Sequence, residues 1–118
     1  MSAMKPTTAL AVALAAVETF RSECRADLGS VTILCFLQIA MHRELPMFDL
    51  IKLLGVSNAA VSRNITLLGA GTPRDPGMGL VEAYEDAYYR RRKLVRVTQK
   101  GSILMDHIVE SMNNVRGV

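Results

Sequence analysis

The sequence predicts a mainly α-helical protein carrying one small β-hairpin, and three observations carry that prediction. Apolar residues recur at three- and four-residue spacing through most of the chain, which is the helical period. The stretch Gly69 to Gly79 breaks that period with four Gly and two Pro. Beyond it, Leu80 to Tyr84 and Lys93 to Val97 read as two strands around a polar, aromatic and basic tip. The 118 residues suit one domain, and an apolar content of 50% can supply a core. Trp is absent and aromatics make up 5%, so aliphatic side chains and seven Met must fill it.

The helices follow in order. Thr7 or Thr8 is placed to cap a first helix running to about Arg25, with Leu10, Leu14, Val17 and Cys24 along one stripe. Ala at positions 9, 11, 13, 15 and 16 keeps a second face small. A helix apolar on nearly two faces in so short a chain suggests a subunit interface as well as a core. Ser30 can cap a second helix, Val31 to about His42, whose many apolar residues make it the most buried one expected. Pro46 suits the first turn of a third helix, carrying Leu50, Ile51, Leu53 and Leu54. Gly55 can close it in the left-handed conformation. A last helix, from Thr98 or Gln99 to near Arg116, carries Ile103, Leu104, Ile108 and Met112.

Only Val56 separates Gly55 from Ser57, a good N-cap for a fourth helix reaching Leu68. Two helices joined by so short a turn cross steeply, as in a helix-turn-helix spanning 46 to 68. At about 100° per residue, Val61, Ile65, Leu68, Ala60 and Leu67 share a core-facing arc. Asn58, Ser62, Thr66, Ala59 and Arg63 form a continuous opposite face of small groups with one long cation. Short side chains let a helix approach base edges, and Asn and Arg can each make paired contacts with a base. The Ser57 cap leaves outward N–H groups suited to a phosphate. Asn64 falls at the edge of the apolar arc, where a hydrogen bond to the loop after Gly69 would satisfy it.

The net charge of +3 matters less than its distribution. Residues 1 to 56 balance five basic against five acidic side chains, whereas 88 to 100 hold six basic residues and no acid. These are Arg90, Arg91, Arg92, Lys93, Arg96 and Lys100, a strip suited to a polyanion, although a solvated charge run would look the same. The acids Glu82, Glu85 and Asp86 are expected to pair with the hairpin's cations. A helix-turn-helix followed by a two-stranded hairpin, here 79 to 98, is a winged helix whose tip can reach phosphates or the minor groove. The helix face and the basic hairpin thus point to the same partner, duplex DNA.

The segment Leu54-Gly-Val-Ser57 with Val61-Ser-Arg63, Gly79-Leu-Val81, Arg90-Arg91, Leu94-Val-Arg-Val-Thr98 and Lys100-Gly101 resembles the MarR family of bacterial transcriptional regulators. The likeness covers roughly residues 30 to 105. It implies a homodimer held by N- and C-terminal helices (1–28 and 99–118), contacts from Ser57, Asn58, Ser62 and Arg63, and a wing arginine at Arg91. Together with the residues' own pattern, the expected DNA-binding set is Ser57, Asn58, Ala59, Ser62, Arg63, Thr66, Arg90, Arg91, Arg92 and Lys93. The chain departs from the family at Tyr89, where an acid is usual, and in the length of the 69–79 connection. It also carries one C-terminal helix where the family often has two, so a smaller dimer seam is expected.

The expected function is that of a dimeric, sequence-specific repressor in the cytoplasm, bound to an inverted-repeat operator. Its catalytic and metal sites are expected to be none, and no cofactor is implied; a small-molecule effector is left open. Cys24 and Cys35 lie too far apart for a paired metal motif and read as small core residues. His42 and His107 have no ligand partner nearby in sequence. The Ala-rich start continues smoothly into Glu18, Arg21 and Glu23, unlike an export signal. No stretch approaches the roughly 20 apolar residues of a membrane span. The alternatives are a winged helix used for protein contact, and a phage or plasmid replication or recombination factor.

Overall fold

A computed structural model of the protein describes residues 3–89 and 91–116. Its elements run α1 (Pro6–Glu23), α2 (Ser30–His42), β1 (Glu44–Pro46), α3 (Met47–Leu54), α4 (Asn58–Leu68), β2 (Val81–Glu85), β3 (Lys93–Val97) and α5 (Gln99–Asn113). The expected class, helices with a small hairpin in winged-helix order, is the one observed. The chain divides into two compact units, Gly29–Ser102 and the terminal segments Met1–Leu28 with Ile103–Val118.

In the central unit, Cys35, Phe36, Ile39, Leu50, Val61 and Val95 are fully buried, and α2 packs against α3, α4 and β3. The strands form an antiparallel sheet in the order β1-β3-β2. Strand β1 was not expected: it is three residues long and ends in Pro, too short to show a period of two. Burial of Leu45 opposite Val95 holds it there. Pro46 consequently sits outside α3 as its N-cap, not in its first turn. The turn into β1 passes through Arg43 at φ 65°, whose carbonyl accepts the Val97 N–H.

Strand β2 begins at Val81, one residue later than the pattern suggested. Leu80 is excluded because its N–H donates to the Leu68 carbonyl and its own carbonyl accepts from Thr98. Helix α2 starts at Ser30 with Gly29 as its N-cap, so Ser30 is not the cap. At the other end of the unit, the Thr98 hydroxyl donates to the Gly79 carbonyl at 2.6 Å and accepts from the Gly101 N–H at 3.1 Å. A Cβ on Gly101 would stand 2.2 Å from the Leu80 carbonyl oxygen. The Val-Thr-x-Lys-Gly spacing therefore has a mechanical cause: it joins the hairpin to α5 through one cap and one close approach.

In the terminal unit, α1 begins at Pro6 with Lys5 as N-cap and no side-chain cap, so neither Thr7 nor Thr8 caps it. The proline ring presets the first-turn dihedral and removes one orphan donor. The helix ends at Glu23, short of Arg25, where Cys24 donates to the Phe20 carbonyl. Thr19 Oγ1 lies 2.9 Å from Ser111 Oγ on α5, and Glu23 hydrogen-bonds His107 Nδ1. That carboxylate, followed by the charges of Glu110 and Asp106, holds the His107 imidazole above its ordinary value. Phe20, Leu104 and Ile108 are buried. The α1 stripe is not: Leu10, Leu14 and Val17 are 70%, 58% and 52% exposed, and Cys24 is half-buried.

Among the described residues, no helix is long and apolar enough to cross a membrane, and no cluster of ligating side chains could hold a metal ion. Burial pushes the Cys35 thiol up to about 11, which keeps it protonated and inert.

Candidate nucleic-acid interface

The site begins with the turn between α3 and α4. Gly55 adopts φ 64°, ψ 33° and donates to the Ile51 carbonyl, closing α3 in the left-handed region. Two residues later the Ser57 hydroxyl accepts the Ala60 N–H at 3.1 Å and starts α4. Val61, Ile65 and Leu68 are then buried, so the opposite face is fixed outward. Ser57, Asn58, Ala59, Ser62 and Arg63 are exposed and Thr66 is half-buried, as the helical period required. The Thr66 hydroxyl donates to the Ser62 carbonyl at 2.9 Å, which engages its donor within the helix.

Asn64 completes the positioning of this helix. Its side-chain oxygen accepts from the Thr32 hydroxyl of α2, and its amide donates to the Ala60 carbonyl at 2.7 Å. The expected bond to the loop after Gly69 is absent. Asn64 sits at the edge of the apolar arc because one hydrogen bond ties it to the central helix while the other closes back on its own helix.

The wing is braced from within. Asp86, 9% exposed, accepts the Tyr88 N–H at 2.9 Å through one oxygen and stands 3.4 Å from Arg92 Nε through the other. Backbone bonds from Asp86 to Arg92 and from Arg92 to Tyr89 close the tip. Arg96 is also engaged: it donates to Glu82 across the strands at 3.1 Å and lies 4.6 Å over the Tyr84 ring. Glu82 raises the Arg96 pKa, and a hydrogen bond to Glu44 raises that of Tyr84. The anticipated pairing of hairpin acids and cations therefore occurs at Asp86 and Glu82. It takes Arg92 and Arg96 out of the free charge of the basic strip.

Among the described residues, Arg63, Arg91 and Lys93 make no ion pair. Arg90, also expected in the interface, lies outside the described residues. An open groove of about 1280 Å³ brings part of the expected α4 face beside the wing, while Ser57, Arg63 and Thr66 do not line it. Asn58, Ala59 and Ser62 of α4 line one side, and Tyr89, Arg91, Arg92 and Lys93 of the wing line the other.

No protein-family model matches the sequence, and no curated protein aligns with it significantly. Solved structures do match in three dimensions. MarR superposes with a TM-score of 0.64 at 19% identity, covering 92% of this chain and 77% of the other. A mutant of S. aureus MepR bound to an oligodeoxyribonucleotide gives a TM-score of 0.70 at 19% identity, covering 91% and 72%. A Cys-to-Ser mutant of E. coli MarR complexed with operator DNA gives 0.64 at 17%, covering 88% and 67%. The fold is the MarR-type winged helix.

Within this MarR-type fold, the groove also contains residues that sequence reasoning missed. Met47, Phe48 and Asp49 line it from the start of α3, and Tyr89 lines it from the wing. Phe48 is 61% exposed, with Lys52 Nζ 4.9 Å from its ring centroid. The available signal was a Phe at the start of α3, off the Leu50, Ile51, Leu53 and Leu54 set that the sequence assigns to its core.

Proposed function

We propose that the protein is a sequence-specific, duplex-DNA-binding transcriptional regulator that acts as a cytoplasmic dimeric repressor without catalysis. One observation carries the proposal: Asn58, Ala59 and Ser62 of the α4 face line a single groove with the wing cations Arg91 and Lys93, which make no ion pair among the described residues. On a duplex, α4 enters the major groove, where Asn58 and Arg63 contact base edges and Ala59 and the Thr66 methyl give apolar contact. Ser57 and Ser62 complete that face. Arg91 and Lys93, continuous with Arg90, supply cations to phosphates or the minor groove. Arg92 acts through the Asp86 pair, holding the wing tip in shape.

Two of the similar structures, MepR and E. coli MarR, are described as bound to an oligodeoxyribonucleotide and to operator DNA, which supports the same partner here. The exposed row Leu10, Leu14 and Val17 supports self-association through the terminal helices. A dimer of this type binds inverted half-sites about 10 base pairs apart. Selection of duplexes from a random library, read together with the protein's mass in solution, tests the proposal. Enrichment of an inverted repeat by a dimer is expected; recovery of unenriched library would refute sequence-specific binding.

A further inference from the structure

Beyond the C-terminal end of α4, the Gly/Pro-rich connection is a built projection. The Gly71 N–H donates to the Thr66 carbonyl at 2.8 Å, and Gly71 pairs with Pro76 in an antiparallel bridge. Met78 is buried and donates to the Leu67 carbonyl at 3.0 Å, while Gly79 donates to Gly69 at 2.9 Å. A Cβ on Gly71 would stand 2.0 Å from the Gly77 nitrogen, and one on Gly77 would stand 2.0 Å from the Gly69 oxygen. The two backbone runs thus lie too close for side chains between them, which makes a stiff neck.

The neck carries a tight apex. The Thr72 N–H donates to the Asp75 carbonyl at 2.8 Å, and the Thr72 hydroxyl accepts the Asp75 N–H at 3.0 Å. Pro73 and Arg74 sit between them, both exposed. Arg74 is the only cation in sequence between Arg63 and Arg90, and it has no ion pair among the described residues.

The placement of this apex is informative. A second hollow, about 290 Å³, is lined by Ser62, Arg63 and Thr66 of α4 and by Thr72 and Asp75 of the projection. Ser62 also lines the larger groove walled by the wing. The outward face of α4 therefore runs between two walls, the wing at its N-terminal half and the projection at its C-terminal half.

We propose that residues 70–78 form a second arm on the duplex, with Arg74 contacting phosphates beside the C-terminal half of α4. This rests on the DNA-binding function proposed above. A stiff arm holds its cation in place with little ordering on binding, so one contact is effective. The arm would set how far α4 tilts in the groove, complementing the wing from the other end.

The test uses the duplex enriched from a random library by the full chain, with phosphate-ethylation interference and the salt dependence of binding as readouts. Arg74→Ala is expected to weaken binding roughly three- to tenfold near 0.1 M salt and to lower the salt slope by about one. It should also abolish interference at phosphates that Arg91→Ala leaves unaffected, and Arg74→Lys should largely restore the slope. An unchanged slope and interference pattern in Arg74→Ala, with Arg63→Ala still impaired, would overturn the arm alone. Parent protein showing no salt-dependent, Arg63-sensitive binding would overturn the arm and the DNA-binding function together.

Discussion

Gly101 shows how a single residue fixes the junction between wing and terminal helix. Its missing side chain lets α5 start against the Leu80 carbonyl, where a Cβ would come within 2.2 Å. Gly101→Ala should lower unfolding stability by about 1–3 kcal/mol, as overpacking does, measured by denaturant melts. An unchanged midpoint would show that the close approach relaxes freely. Asp86 performs a comparable service at the wing tip through its bonds to Tyr88 and Arg92. The outward set on α4 was legible residue by residue, because the helical period assigns a direction to every side chain. Asn64 was not, since its partner Thr32 lies 32 positions away and no local period reports such a bond. Arg92 and Arg96 were counted correctly as charges, and their acids were anticipated as a group. Which cation each acid neutralises depends on strand register, which places Arg96 opposite Glu82.

At the scale of elements, the turn Gly55-Val56-Ser57 was the most legible feature, because a left-handed C-cap and a side-chain N-cap are both local chemistry. The caps of α1 and α2 were misplaced by one or more residues, since Lys5 and Gly29 cap without any side-chain bond to mark them. Strand β1 was invisible because tertiary burial of Leu45 forms it, not propensity. For the wing, replacing Arg91 and Lys93 by Ala should weaken binding to all duplex sequences alike and flatten the salt slope by about two. A slope equal to that of the parent would remove the wing from the interface. The link between α1 and α5 predicts a pH effect. His107 has its folded-state pKa raised by Glu23, so its stabilisation is fully present below the ordinary histidine value of 6.5 and is lost as pH rises through the raised value. The thermal midpoint of the parent relative to His107→Gln should therefore fall across the pH window that opens at the ordinary histidine value of 6.5 and extends upward. A difference that stays constant across that window would contradict a protonated His107–Glu23 pair.

At the scale of the whole molecule, the apolar surface is as informative as the charge. Leu10, Leu14 and Val17 follow the helical period yet are exposed, a pattern that suits a contact surface. If the terminal helices assemble two copies, Leu14→Glu should convert a dimer to a monomer in sedimentation, with the central unit still folded by circular dichroism. A dimer that persists would place the seam elsewhere. Dimerisation would in turn set two α4 helices one helical turn of DNA apart, turning a modest single-site interface into a selective one. The central claim remains that the outward face of α4 reads base edges. It is tested most directly by comparing the motifs enriched from one random duplex library by the parent and by Arg63→Ala. The expected result is a variant with its fold intact, specific binding weaker by about 1–3 kcal/mol, and relaxed preference at one position in each half-site. An identical motif, bound with the same affinity, would contradict it.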